Sequence, residues 1–137
     1  MSVKMVGTPQ FAMNAKLKVV QRQGINYERL IGKQLKSEIS STILSSVWFQ
    51  YEDNKGTHLA CADHVLPDEK MMVECKRTYT PEADAQLSLV YGPLANFLWP
   101  GDWKLVVACK FWEGEEKPLI GTFGEAKPGL NYLLRRF

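Results

Sequence analysis

Residues 58–76 contain two apolar runs on either side of the polar tetrapeptide 67–70. A short polar loop that opens with proline between two apolar runs predicts a β-hairpin. If Leu66 faces Met71, the register of the whole hairpin follows. Both faces then carry mostly apolar side chains, which is typical of strands that are buried on both sides. We expect Cys61, Val65 and Met72 on one face and Ala60, Ala62, Leu66, Met71 and Val73 on the other.

Three charged residues interrupt this apolar pattern: Asp63, Glu74 and Lys76. The register places Asp63 opposite Glu74, with facing Cβ atoms about 4.5–5.5 Å apart, and strand alternation puts Lys76 on the same face. Two facing carboxylates in a buried hairpin repel each other and lose hydration. A divalent cation would relieve both costs, since carboxylates, a carbonyl and waters make a usual Mg²⁺ shell. The alternative is a structural ion cluster in which Lys76 neutralises one carboxylate.

The rest of the chain shows the periodicity of further strands and helices. We expect a loose lead-in over 1–13, an edge strand over 15–21, a helix that begins at the N-cap Asn26, a strand over 47–52 and a turn over 53–56. After the hairpin we expect a helix starting at Thr80-Pro81-Glu82, kinked or split at Pro93, and a buried strand over 103–111. The last twenty residues could pack on the domain, form an arm or contact a second subunit.

Length and composition favour one domain over residues 1–137, with a basic N-terminal segment 1–25 and a C-terminal extension 113–137. No run approaches the roughly 18 apolar residues of a membrane span, and the N-terminus lacks the apolar core of a signal peptide. The three cysteines form no C-x-x-C pair, and their odd number favours a reducing compartment such as the cytoplasm. With two histidines, neither near a cysteine pair, a zinc site is not expected.

The net charge of +2 is unevenly distributed along the chain. Residues 1–36 hold seven basic side chains and one acidic one, a balance of +6, so the remainder carries −4. A basic arm leading into an acidic body suits a phosphate backbone as partner, and the alternative is a solvated basic segment. The candidate DNA-binding residues are Lys16, Lys18, Arg22, Lys33 and Lys36.

Asp63, followed about ten residues later by Glu74-Cys75-Lys76 at the end of a second apolar strand, resembles the motif of the PD-(D/E)XK nuclease superfamily. The predicted order of helix, three strands, helix and strand over residues 26–112 is similar to the αβββαβ core of that superfamily. The resemblance implies an α/β, restriction-endonuclease-like fold with a central mixed sheet flanked by helices. Ala62 replaces the proline of the motif, a residue that shapes the strand but carries no charge.

The residues after the motif most resemble those of small stand-alone phage and bacterial nucleases. The matching residues are Thr78, Thr80-Pro81-Glu82, Gln86 and Tyr91-Gly92-Pro93-Leu94. Gln86 lies where several branches have a glutamine that supports the active site. Val90 stands where the Gln-x-x-x-Tyr branch has tyrosine, and Tyr91 lies about 140° round an α-helix from Gln86.

This resemblance implies a metal-dependent endonuclease that hydrolyses phosphodiester bonds of DNA, in phage or mobile-element DNA processing. Mg²⁺, with Mn²⁺ as an alternative, would be held by Asp63, Glu74 and the carbonyl of Cys75, and Lys76 would position the attacking water. A glutamate on the preceding helix often completes such a site.

For that glutamate we expect Glu38, at the border of the apolar face of the first helix, rather than Glu28, which would lie in the first turn where a carboxylate favours the helix dipole. Glu38 could instead pair with a nearby lysine. A dimeric Holliday-junction resolvase and a non-catalytic DNA-binding protein of the same fold are the alternative functions, and a homodimer would favour the resolvase.

Overall fold

The computed structural model describes residues 2–13, 19–40, 42–78, 80–111 and 131–136. In this part of the chain six strands lie in one sheet in chain order. The strands are β1 (Ser2–Val6), β2 (Leu44–Asp53), β3 (Gly56–Leu66), β4 (Met71–Thr78), β5 (Lys104–Phe111) and β6 (Asn131–Arg136). The helices are α1 (Gln10–Met13), α2 (Val19–Glu38), α3 (Pro81–Gln86) and α4 (Gly92–Leu98), with a π-helical turn at Leu87–Tyr91 between α3 and α4.

The sheet is mixed, so the predicted α/β class is confirmed. β4 and β5 run parallel, and every other neighbouring pair of described strands runs antiparallel. Parallel neighbours need a crossover connection, which α3, the π-helical turn and α4 provide. Of the C-terminal extension, β6 is described and pairs with β5.

The turn chemistry of the sequence fixes the register on both sides of β3. Asp53 pairs with Gly56 across a two-residue turn, where Gly56 adopts a φ of 126° that favours glycine. The 67–70 turn closes with Leu66 paired to Met71, so the predicted hairpin register is confirmed for the three described pairs, from Leu66–Met71 to His64–Val73. The described pairing does not extend to the expected pair of Asp63 with Glu74.

Apolar side chains form a core on each face of the sheet. On the face covered by α3 and α4, Trp103 and Phe49 are among the largest fully buried side chains. On the other face, α2 turns Tyr27, Ile31 and Leu35 inward at helical spacing. Fully burying one large apolar side chain contributes about 1.5–3 kcal/mol, so these two cores hold the sheet between its helices.

The N-terminal elements differ from the prediction. Residues 2–6 form an edge strand and 10–13 a short helix rather than a loose lead-in. The expected strand over 15–21 is wrong for Val19–Gln21, which are helical, and 14–18 lie outside the described residues. Asn26 lies inside α2 and does not cap it. Packing of the apolar stripe of α2 against the sheet outweighs the local capping preference of one asparagine.

The alternation of β3 changes face at Asp63. Ala60 and Ala62 were expected on the face of β3 opposite to that of Val65, yet all three side chains pack in the core under α3 and α4. Across the strand pair, Ser46 adopts a φ of 51°, and the described register passes from Ser45–His64 to Val47–Ala62 without pairing Ser46 and Asp63. A non-glycine residue with positive φ interrupts the regular pleat, so Asp63 lies at a break in the sheet.

Candidate functional site

Asp63 is the centre of a carboxylate cluster in which Glu74 is buried, whereas Asp63 and Glu28 are half-buried. Its Oδ2 accepts a hydrogen bond from the backbone N–H of Cys75 at 2.7 Å, and its carboxyl group also shares hydrogen bonds with Glu74 and Glu28. The described backbone pairing of β3 and β4 runs from Leu66 back to His64. Beyond that point the side chain of Asp63 accepts the hydrogen bond from the Cys75 N–H of β4. In a regular strand pair, a backbone carbonyl of the neighbouring strand would accept it.

Glu74 is the most enclosed of the three acids, with 5% of its surface exposed. Its Oε2 is buried and has no hydrogen-bond partner among the described residues. Burial and the neighbouring charge of Asp63 raise the pKa of Glu74 from 4.5 to about 9. In the absence of a cation, Glu74 therefore holds a proton at neutral pH.

Glu28, and not the expected Glu38, is the helix carboxylate at this cluster. Burial, followed by the charge of Asp63, raises the pKa of Glu28 to about 7, while Lys76 and Arg29 oppose that shift. Glu38 is exposed at the end of α2, about 15 Å further along the helix axis, where Gln34 Nε2 donates to it at 3.4 Å. Because α2 begins at Val19, Glu28 lies well inside the helix and not in its first turn.

Burial also raises the pKa of Asp63, although the N–H of Cys75 favours its charged form. Lys76, half-buried beside the three acids, lowers the pKa of each of them. One ammonium group thus faces three carboxyl groups. Glu74 can remain in this low-dielectric site because it carries a proton at neutral pH, and Glu28, with a pKa of about 7, carries one part of the time.

Cys75 contributes backbone groups to the site. Its thiol lies on the opposite face of β4, in the core under α2, and burial raises the pKa of that thiol. A thiolate ligand is therefore not available here, and the carbonyl oxygen of Cys75 remains the candidate ligand that the resemblance implies.

Tyr91 is a site residue that the sequence interpretation missed. Burial, with the charges of Glu74 and Asp63, raises the pKa of its phenol. The π-helical turn explains its position: the N–H of Gly92 donates to the carbonyl of Leu87 five residues earlier, and this wider turn absorbs one residue. The 140° separation from Gln86 assumed a regular α-helix. Gln86 itself is exposed at the end of α3.

Several predicted DNA-binding residues lie on α2. Arg22, Lys33 and Lys36 are exposed there, whereas Lys16 and Lys18 lie outside the described residues. The three described cations are thus available to a partner.

No protein-family model, curated protein or solved structure matches the chain. Across the described segments, no helix is both long and apolar enough to cross a membrane.

The cluster is not a ready-made metal cage, since no three His, Cys, Asp or Glu side chains of the described ranges are arranged as a metal centre. The acids instead share protons with one another. Their donor set nevertheless fits a hard cation, because carboxylate oxygens are the ligands that Mg²⁺ prefers. The buried, unpartnered Oε2 of Glu74 is an acceptor without a donor, and a cation could replace the protons held by Glu74 and Glu28.

Proposed function

We propose that the protein is a metal-dependent DNA endonuclease of the PD-(D/E)XK type. The observation that carries this proposal is the convergence of Asp63, Glu74 and Lys76 at a break in the sheet, with Oε2 of Glu74 buried and lacking a partner among the described groups. A structural ion pair would not need a second and a third carboxyl group. Each added acid raises the cost of burial unless a proton or cation compensates it.

The element order supports the same proposal. From α2 onward the described chain runs through β2, β3, β4, the α3–α4 segment and β5, with β5 parallel to β4. This order agrees with the αβββαβ core of a restriction-endonuclease-like fold. β4, which carries Glu74 and Lys76, lies inside the sheet between β3 and β5.

Asp63, Glu74 and the carbonyl of Cys75 would hold the metal, and Glu28 takes the completing role that the sequence assigned to Glu38. A bound divalent cation lowers the pKa of a water molecule and stabilises negative charge on a phosphate. The hydrogen bond from Cys75 N–H holds Asp63 in one orientation before any ligand binds. Glu74 and Glu28 would have to give up their protons to hold a cation as carboxylates.

Lys76 supplies the positive charge that the acids lack. Its ammonium group can orient the attacking water or a phosphate oxygen at the mouth of the cluster. Tyr91 lies near the cluster on the α3–α4 side, where burial and the charges of Glu74 and Asp63 keep its phenol neutral.

The test is a cleavage assay on linear duplex, single-stranded, flapped and four-way DNA, with Mg²⁺ and with EDTA. Cleavage should require the metal and should be lost in Asp63→Asn and Glu74→Gln. Asp68→Asn and Glu52→Gln, at exposed positions, are the matched controls and should retain activity. Full activity in excess EDTA, or in either cluster variant, would contradict the proposal.

A further inference from the structure

A pocket of about 420 Å³ lies between α2 and the start of β2. Arg29, Lys33 and Lys36 line its helix side, spaced four and three residues apart so that they follow one stripe of α2. Ile43, Ser45 and Ser46 line its strand side, and Gly32 and His64 complete it. None of these lining residues, within the described chain, is acidic.

His64 forms a fixed wall of this pocket and is 3% exposed. Its Nε2 lies 2.8 Å from the carbonyl oxygen of Glu28, and its Nδ1 lies 2.8 Å from Ser45 Oγ. Because a carbonyl can only accept, Nε2 carries the proton, and the hydroxyl of Ser45 donates to Nδ1. A Cβ atom at Gly32 would lie 2.8 Å from Cε1 of His64, so glycine allows α2 to approach this closely.

The β2 side of the pocket contains a residue with a strained backbone, Ser46. Ser46 lines the pocket with a φ of 51°. A left-handed non-glycine residue is strained and persists where the surrounding structure fixes it, commonly at binding sites. The same break in the β2–β3 pairing places Asp63 in the carboxylate cluster.

The pocket and the carboxylate cluster share a wall. The backbone carbonyl of Glu28 binds His64 on the pocket side, while the side chain of Glu28 binds Asp63 on the cluster side. Arg29 lines the pocket and also interacts electrostatically with Glu28. A ligand in the pocket therefore lies on the other side of the Glu28–His64 contact from the proposed metal ligands.

We propose that this pocket binds one phosphate group of the nucleic-acid strand that the carboxylate cluster cleaves, and so fixes the strand at a second point. The proposal rests on the proposed nuclease function. Three cations with no acidic neighbour in the lining suit a phosphate, and Arg is suited to pair with its oxygens. The volume exceeds that of a phosphate alone and leaves room for the attached sugar. A terminal phosphomonoester and an internal phosphodiester share this chemistry.

Charge removal at constant shape provides the first test. Arg29, Lys33 and Lys36 are exposed, so their triple replacement by Gln should leave the fold intact. The matched control replaces Lys4, Lys55 and Lys104, which are exposed and outside the pocket lining, by Gln. For one seated phosphate, the slope of log affinity against log salt on duplex DNA should fall by about 0.9 in the pocket variant and stay unchanged in the control. KM should rise in the pocket variant and stay unchanged in the control.

The size of the fall in the salt slope distinguishes a pocket that binds one phosphate from a surface that contacts several phosphates. A slope that falls by about 2.7 would mean that the three cations contact three separate phosphates. A slope that falls equally in the pocket variant and in the control would mean unspecific attraction to DNA. Either result would overturn the pocket. Oligonucleotides with a 5′-phosphate, a 3′-phosphate or neither then separate a terminal from an internal phosphate. Tighter binding of one phosphorylated form supports a terminal phosphate, and equal binding supports an internal one.

A direct binding test uses inorganic phosphate in EDTA, with the ring proton signals of the two histidines as reporters. The His64 signal should shift with phosphate, whereas that of His58, in the β2–β3 hairpin, should not. Ile43→Trp, which fills the pocket without changing its charge, should abolish the shift, as should the triple Gln variant. If the His64 ring signal does not shift when phosphate is added, phosphate binding in the pocket is refuted.

The two hypotheses fail in different ways. Wild-type protein that cleaves no DNA while phosphate shifts His64 would overturn the nuclease function, and with it the assignment of the phosphate to a cleaved strand. Metal-dependent cleavage with no effect of the pocket variants on salt slope, KM or the His64 signal would overturn the pocket alone.

Discussion

The metal-free protein should lose stability as the pH rises through neutrality. The pKa of Glu74 is 4.5 in the unfolded chain and about 9 in the folded chain. The folded state therefore binds a proton that the unfolded state has released. A raised acid pKa gives stability that is complete below about pH 4.5 and is lost by about pH 9. The physical cause is that the native fold must bury a new negative charge beside Asp63.

The magnitude follows from one proton. A difference of one bound proton changes the free energy of unfolding by about 1.4 kcal/mol per pH unit. Between pH 7 and 8, Glu74 supplies this proton and Glu28, with a pKa of about 7, adds part of another. We expect a fall of at least about 1.4 kcal/mol, or about 5 °C in Tm for a domain of this size. His64, whose pKa burial lowers, has the opposite sign, but its effect lies below pH 6.5.

Thermal and urea unfolding, followed by circular dichroism in EDTA at pH 6, 7 and 8, measures this slope. Glu74→Gln keeps the size of the side chain and removes its titration, so the slope between pH 7 and 8 should fall by about 1.4 kcal/mol per pH unit. Glu52→Gln, at an exposed strand position, should keep the wild-type slope. The shared-proton cluster would be refuted by a wild-type stability that is flat or rises from pH 7 to 8. It would equally be refuted by a slope in Glu74→Gln as steep as that of the wild type.

Three further predictions concern single residues. Asp63→Asn should raise the metal-free Tm at pH 8, because Asn still accepts from the N–H of Cys75 while the repelling charge is lost; a clearly lower Tm would favour a structural ion pair. Lys76→Met should retain DNA binding but lose about 10²-fold or more in turnover, and an equal loss of both would make Lys76 a phosphate anchor. Glu28→Gln should weaken Mg²⁺ binding, measured by calorimetry, at least tenfold, whereas Glu38→Gln should leave it unchanged; the reverse order would restore Glu38 to the site.

The hairpin register could be predicted because it depends on local chemistry. The 67–70 turn fixes the pairing of Leu66 with Met71, and the pairs back to His64–Val73 follow by counting. Counting one step further predicted Asp63 opposite Glu74, but the described pairing stops before that step, and the side chain of Asp63 accepts from the N–H of Cys75 instead. The change of face at Asp63 could not be read in this way, because it depends on the φ of Ser46 in a neighbouring strand.

The choice between Glu28 and Glu38 depended on where α2 begins. A helix starting at Asn26 would place Glu28 in its first turn, whereas the observed start at Val19 places it in the interior. Tertiary packing, which no local signal reports, decides that boundary. The position of Tyr91 could not be predicted for a similar reason. The π-helical turn changes which side chains share a face of the helix, and the sequence before Gly92 gives no clear sign of such a turn.

The Asp63–Cys75 hydrogen bond also bears on the order in which the molecule assembles. Its partners are 12 positions apart, so the hairpin can form this contact in microseconds, whereas β4 must wait to pair Met71 with Lys104, 33 positions later. Glu28 joins when α2 docks. Two of the acids should therefore meet early in folding, before the sheet is complete. The refolding rate of the metal-free chain should then slow as the pH rises. The repulsion between these two carboxylates, which a bound proton relieves in the native site, should act first as a barrier to hairpin closure.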